Sequence, residues 1–156
     1  DKAFASRKEL AHWFDDIDED QIQPNGIDLT AGKLYTPGNG RITKNGKTVG
    51  ARVELKPTED FWIVDEPVIV EYGEEIYIPD DMIGFVFPRS TLMRNGCELH
   101  TAVWDSGYRG IGEGLLVPHV PIDIEQGARI AQIVMARSDP GGTYDGDYQH
   151  ERLDEF

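Results

Sequence analysis

Apolar residues recur at helical spacing in one place near the start, where Leu10, Trp13, Phe14 and Ile17 make a single face. Ser6 and Glu9 stand ahead of it in capping-box spacing, so the pattern predicts a helix over 6–17. The acidic run 15–20 then puts negative charge at the C-terminal end, where the macrodipole disfavours it, and the helix should stop there. That run lacks the glycine and glutamate spacing of a calcium loop and reads as a solvated exit. From Gln21 onward the period changes. Pro24 and Asn25-Gly26 enforce a turn, and 27–35 reads as a strand. Residues 41–49 read as a hairpin turning through Asn45-Gly46 in a type I′ turn. Short strands follow at 51–56, 61–64, 67–72, 75–78, 84–87, 99–104, 111–119 and 129–136. Many short strands without intervening helices predict an all-β sandwich or barrel with a short N-terminal helix. No fixed-period repeat is present. The segment 138–156 is glycine-rich and loses strand periodicity, leaving two readings open: a frayed terminus or a mobile lid. The expected division is one β domain over 1–137 and a tail over 138–156.

Composition narrows the class. A chain of 156 residues fits one domain, and 39% hydrophobic residues with six Phe, six Tyr and three Trp argue against disorder. No run of about 18 apolar residues occurs, so no membrane span is expected. No secretory leader pattern opens the sequence, and a soluble, cytoplasmic protein is expected. The single cysteine, Cys97, excludes an intrachain disulfide framework and a zinc ribbon. A net charge of −14 disfavours nucleic-acid backbones, whose binding depends on Lys and Arg. A polyanionic small substrate would then need a local basic pocket, a bound cation, or both. Asp outnumbers Glu and Arg outnumbers Lys, a balance that salt-adapted proteins share.

Candidate chemistry gathers at two strand ends. Phe85, Val86 and Phe87 end at Pro88 and deliver Arg89, Ser90, Thr91 and Arg94. Two guanidinium forks and two hydroxyls suit phosphate, because Arg matches it bidentately and stays charged at any working pH. The run 99–104 ends at Asp105-Ser106-Gly107-Tyr108-Arg109-Gly110. Singly, Asp-Ser-Gly is ordinary turn chemistry and Tyr108 a packing residue. Ser90 lacks the nucleophile-elbow glycines, and His12, His100, His119 and His150 are scattered without metal-ligand spacing.

Taken in order and spacing, six stretches resemble the dUTPase and dCTP deaminase superfamily, most closely its archaeal-type members. They are Gln23-Pro24-Asn25-Gly26-Ile27-Asp28-Leu29, Ile78-Pro79-Asp80-Asp81-Met82-Ile83-Gly84 and Pro88-Arg89-Ser90-Thr91-Leu92-Met93-Arg94. Thr101 to Gly110 is the fourth, and Gly127-Ala128-Arg129-Ile130-Ala131-Gln132 and Tyr144-Asp145-Gly146-Asp147-Tyr148-Gln149 are the last two. The resemblance implies a distorted jelly-roll, a homotrimer with active sites shared between subunits, a deoxynucleoside triphosphate such as dUTP as substrate, and Mg2+ bound through its phosphates. It implies Asp105 as the carboxylate that deprotonates the attacking water, and Tyr108 as the ring under the deoxyribose. Arg89, Ser90 and Gln132 match phosphate-side groups, and Thr91 and Arg94 extend them. Thr101 and Ala102 fall in the strand expected to read the base, chiefly through backbone. Asp28 matches an acidic residue near the metal or supporting the site. Tyr144, Tyr148 and Gln149 would belong to the closing tail.

Two departures bear on the reaction. The interval from Ala102 to Asp105 is one residue shorter than in several relatives. Members that deaminate dCTP carry a glutamate ten residues after the matching aspartate, and here that position is Leu115. Glu113, two residues earlier, would share its face on a regular strand. Hydrolysis of dUTP to dUMP and pyrophosphate is therefore the expected reaction. A dCTP deaminase or bifunctional enzyme is the alternative, and a non-catalytic nucleotide-binding trimer is the second alternative.

Overall fold

The structure, a computed structural model, describes residues 2–153. Its elements run in chain order as α1 (Arg7–His12), a 3₁₀ turn (Glu19–Gln21), β1 (Ile27–Thr36), β2 (Arg41–Thr43), β3 (Gly46–Thr48), β4 (Val53–Leu55) and β5 (Phe61–Val64). Then come β6 (Val68–Tyr72), β7 (Ile76–Tyr77), β8 (Met82–Pro88), α2 (Ser90–Arg94), β9 (Cys97–His100) and β10 (Arg109–Gly110). Finally come β11 (Glu113–Pro118), β12 (Ile122–Glu125) and β13 (Arg129–Arg137). One antiparallel sheet runs β8-β13-β1-β6-β11-β9, with β4 attached to β1, while β10 pairs β7, β12 pairs β5 and β2 pairs β3. Strands hold 43% of residues and helices 9% in a nearly closed, barrel-like sheet, so the all-β jelly-roll expectation holds.

β1 is the spine. Its first half pairs β13, its second half pairs β6 and β4, and register shifts at Leu29/Thr30 and Ala31/Lys33 let it turn from one set of partners to the other. Ile27, Leu29, Ala31 and Leu34 are fully buried with Val70, Tyr72, Ile76, Ile78, Leu116, Ile133 and Met135. Gly26 lies where a Cβ would stand 2.5 Å from the Ile133 carbonyl oxygen and 2.8 Å from the Gln132 side chain. A side chain there would push β1 away from β13, and with it the polar groups described below.

Several sequence expectations need correction. The capping box exists, with the Glu9 amide donating to Ser6 Oγ at 3.2 Å, but the helix ends at His12 rather than near 17. Asp16 is left-handed (φ 55°), so the acidic exit breaks the helix early while Leu10 and Phe14 still reach the core. The β2–β3 hairpin pairs Thr43 with Gly46, so its loop is Lys44-Asn45, one residue earlier than expected. Neither loop residue has positive φ, so the turn is not type I′. Thr43 Oγ1 closes it instead, donating to the Gly46 carbonyl and accepting from the Asn45 amide. The strand expected over 51–56 pairs only over β4, and that expected over 99–104 leaves the ladder after His100. The strand expected over 111–119 is preceded by a separate pairing of residues 109–110 with β7. Sequence reading missed β12 and both short helical turns, and α2 turns the chain where Arg89 to Arg94 were expected to cap a strand end.

α2 packs on β9 and leaves Cys97 only 3% exposed. Burial pushes its thiol pKa up, so the fold favours the unreactive protonated form. A thiol reagent at about pH 8 is expected to spare the native protein and to modify it promptly in denaturant. Modification of native protein at the denatured rate would mean this packing is open.

Candidate active site

The chain from Trp104 to Gly110 is built as a rigid shelf. Trp104 bridges to Gly84 through both backbone groups, at 2.9 and 3.1 Å. The Tyr108 amide donates to the Asp105 carbonyl at 3.1 Å, closing a turn in which Gly107 has φ +83°. That conformation favours glycine, and a Cβ there would also lie 2.8 Å from Thr143. Ile78 holds the turn from the far side, accepting from the Gly107 amide and donating to the Tyr108 carbonyl, both at 2.8 Å. Ser106 is buried and its hydroxyl donates to the Met82 carbonyl. Asp105 remains exposed at the tip.

Beside this shelf opens a cavity of about 590 Å³, large enough for a nucleoside. Asp105, Tyr108, Trp104, Thr101 and Ala102 line it together with Gly112, Glu113, Gly114 and Leu115. Trp104 meets Tyr108 edge-on at 5.2 Å, and Tyr108 meets Tyr144 edge-on at 5.5 Å. The Tyr108 ring is thus pinned, and its hydroxyl donates to Glu151 Oε1 at 2.7 Å. Burial, reinforced by that carboxylate, raises the Tyr108 pKa and keeps the phenol protonated. Thr101 Oγ1 donates to the Val86 carbonyl at 3.0 Å, while Thr101, Ala102 and Val103 lie outside the ladder and exposed. The stretch expected to read the base as a strand is therefore a loop.

A second polar centre forms around Asp28, whose side chain is completely buried. Its Oδ2 meets Arg89 Nε at 3.2 Å and Arg129 Nη1 at 3.3 Å, and accepts from Gln23 Nε2 at 3.1 Å. Its Oδ1 accepts from Gln132 Nε2 at 3.1 Å, across the β1–β13 pair that sets Asp28 opposite Gln132. Arg89 is fixed further by its amide, which donates to the Ile130 carbonyl at 2.9 Å. Ser90, Thr91 and Arg94 follow on α2, all exposed, with buried Leu92 as the helix's anchor. None of Asp28, Arg89, Ser90, Thr91, Arg94 or Gln132 lines the cavity that holds Asp105 and Tyr108. Within one chain the residues expected to hold the phosphates and those expected to meet base and sugar do not share this cavity.

The tail packs against the shelf. The Tyr144 amide donates to the Ser106 carbonyl at 2.7 Å. Gln149 Oε1 accepts from the Arg109 amide at 2.8 Å, and its Nε2 donates to the Gly107 carbonyl at 3.0 Å and the Tyr144 carbonyl at 3.2 Å. Gln149 thus fastens the tail to the turn and is not part of the cavity lining, whereas Tyr144 and Tyr148 are. Lys47, from the β2–β3 hairpin, stands 4.8 Å over the Tyr148 ring at the cavity mouth.

Glu113 is held by two arginines. Arg52 grips both its oxygens, at 2.5 and 2.6 Å, and Arg152 Nη2 donates to Oε2 at 2.5 Å. Burial works to raise this carboxyl's pKa, but the Arg52 hydrogen bonds and the charges of Arg152 and Arg52 outweigh it and hold the group below the usual range. Leu115 follows two residues on along the same face, directly opposite His100 in the ladder.

The dCTP deaminase-like family model matches residues 3–138. The chain belongs to the dCTP deaminase-like family. Within it, a probable deoxyuridine 5′-triphosphate nucleotidohydrolase of Halobacterium salinarum is 49% identical over 153 residues, covering 93% of each chain. A deoxyuridine 5′-triphosphate nucleotidohydrolase of Methanocaldococcus jannaschii is 38% identical over 145 residues, covering 88% of this chain and 93% of its own. Among solved structures, a 2′-deoxycytidine 5′-triphosphate deaminase of Agrobacterium tumefaciens superposes with a TM-score of 0.68 at 22% identity. That match covers 88% of this chain and 48% of the deaminase. The EIAV dUTPase superposes with a TM-score of 0.52 at 14% identity, covering 93% and 95%. These two show the fold.

Against that family background, sequence reading overlooked Arg52, Lys47, Glu71, Glu151 and Arg152. Arg52 sits in an unremarkable polar stretch, and Arg152 lies three residues past the last recognisable motif. The one available signal was scarcity, since only 15 Lys and Arg face 29 acids.

Proposed function

We propose that this chain hydrolyses dUTP to dUMP and pyrophosphate as a soluble, cytoplasmic homotrimer whose active sites lie between subunits. Asp105 takes a proton from a water, whose oxygen attacks the α-phosphorus. The bond from that phosphorus to the α–β bridging oxygen breaks, and pyrophosphate leaves. Tyr108 carries the deoxyribose. Arg89, Ser90 and Gln132 of a neighbouring subunit stabilise the charge that develops on the phosphates. The names of the archaeal relatives support the substrate. The separation of the Asp28–Arg89 centre from the cavity supports a shared site, because one chain alone offers two half-sites. No helix among the described residues is long and apolar enough to cross a membrane.

The observation that favours hydrolysis over deamination is the pairing of Glu113. A deaminating glutamate must accept and return protons, which asks for a pKa near the working pH. Glu113 is held ionised by two guanidiniums, and Leu115 cannot exchange protons at all. The donor set fits phosphates better than a protein-held ion. Asp28 already engages four side chains, and among the described residues no group of three His, Cys, Asp or Glu could hold a metal. Magnesium is accordingly assigned to the substrate complex, where it commonly keeps waters and few protein ligands.

The test incubates the protein with magnesium and dUTP, dCTP, dTTP or UTP separately and resolves products by anion exchange. dUMP and pyrophosphate are expected from dUTP, with little turnover of UTP because the pinned Tyr108 leaves no room for a 2′-hydroxyl. Ammonia released from dCTP would overturn the choice and return Glu113 to the deaminase role. Tight dUTP binding without turnover would establish the non-catalytic reading.

A further inference from the structure

Glu71 on β6 and Glu113 on β11 stand directly opposite each other in the ladder. Like charges at opposed positions repel, so this pair needs cations between or beside it. Arg52 supplies one, bound to Glu113 alone among these two. The second comes from the tail. Arg152 Nε meets Glu71 Oε1 at 2.6 Å, Nη2 meets Glu113 Oε2 at 2.5 Å, and Nη1 donates to the Ile111 carbonyl at 2.7 Å. All three side chains are mostly withdrawn from solvent, at 25% exposure for Arg152, 11% for Glu71 and 27% for Glu113. Arg152 Nη1 also lies 3.1 Å from Glu151 Oε2, and a fork that meets three carboxylates and a carbonyl at once is geometry that arginine offers and lysine does not.

The backbone around Arg152 is held just as firmly. His150 and Arg152 both adopt left-handed φ, 59° and 63°, on either side of Glu151. Non-glycine residues persist there when their surroundings over-determine them. Here the His150 amide donates to the Arg109 carbonyl at 2.8 Å and the Ile111 amide donates to the Glu151 carbonyl at 3.1 Å. The result places Glu151 under the Tyr108 hydroxyl. Tyr108 is one of the rings that wall the cavity.

We propose that Arg152 is the anchor by which the C-terminal tail docks, that the opposed Glu71–Glu113 pair is its receptor, and that docking positions Tyr108 through Glu151. This rests on reading the tail as part of the substrate site. Arg152 is a positioning residue: it reaches the reaction through Glu151 and Tyr108. The device also accounts for a glutamate in the cavity wall of a hydrolase, since Glu113 serves to receive the tail.

The experiment compares wild type, Arg152→Ala, Arg152→Lys and a truncation before Thr143. It measures dUTP and UTP kinetics together with hydrogen exchange at the Ile111 amide. Loss of charge-assisted hydrogen bonds predicts a KM for dUTP raised about tenfold in Arg152→Ala, with kcat changed less. The preference for dUTP over UTP should fall with it, and Ile111 should lose protection while β11 amides keep theirs. Arg152→Lys should resemble the alanine variant, because a point charge cannot span both carboxylates. A mere loss of general stability would move neither the sugar preference nor one amide selectively. If truncation slows turnover while Arg152→Ala behaves as wild type, the anchor is wrong and the tail reading stands. If truncation changes nothing either, both fail together.

Discussion

Replacing Asp105 by asparagine should lower kcat for dUTP by about a thousandfold, the range that a positioned general base contributes. KM should change little, since the amide keeps the shape of the carboxylate and only its capacity to take a proton is gone. The structure makes this a clean substitution. Asp105 is exposed at the tip of a turn that is fixed by backbone bonds between Asp105 and Tyr108, between Ile78 and both Gly107 and Tyr108, and between Trp104 and Gly84. None of those bonds uses the Asp105 side chain, so the fold and the cavity should survive the change. Steady-state assays with dUTP, paired with binding of a non-hydrolysable analogue, separate the two effects. A variant that binds the analogue and hydrolyses dUTP at the wild-type rate would remove Asp105 from the base role.

What was legible in the sequence follows from what was local. The capping pair Ser6–Glu9, the β8 run ending at Pro88 and the Asp105-Ser106-Gly107-Tyr108 turn are each determined within a few residues, and each occurs. The hairpin at Asn45-Gly46 was local too, yet Thr43 competed with the glycine by closing the turn with its own hydroxyl. The short turn α2 was hidden because Ser90 to Arg94 carries a single buried residue, Leu92, and so shows no periodicity. Long-range pairing was out of reach. Nothing in the sequence sets Glu71 opposite Glu113, or brings Arg52 and Arg152 to Glu113 across 61 and 39 positions. Resemblance supplied Asp28 as a candidate site residue, but only the structure shows that it holds Arg89, Arg129, Gln23 and Gln132.

Asp28→Ala should lower the melting temperature and cripple turnover together. The carboxylate is fully buried and joins two guanidiniums and two carboxamides, so its removal leaves Arg89 and Arg129 facing each other without a counter-charge. Breaking a buried pair costs about 3–5 kcal/mol when the partner stays buried. Arg89 and Arg129 retain 31% and 36% exposure, so water screens part of that loss. A cost of about 2 kcal/mol remains, or roughly 4–8 °C in melting temperature for a chain of this size. Asp28→Asn should do little better, because its amide nitrogen would meet donors wherever an oxygen now accepts. A displaced Arg89 should cost about a hundredfold in kcat, the penalty typical of a group shifted by an ångström. Magnesium dependence separates this account from direct metal binding. If Asp28 acts through Arg89 and Gln132, the magnesium concentration for half-maximal activity should be unchanged in the variant while kcat falls. If that concentration rises sharply instead and excess magnesium restores the rate, Asp28 belongs with the ion, and its hold on Arg89 is incidental.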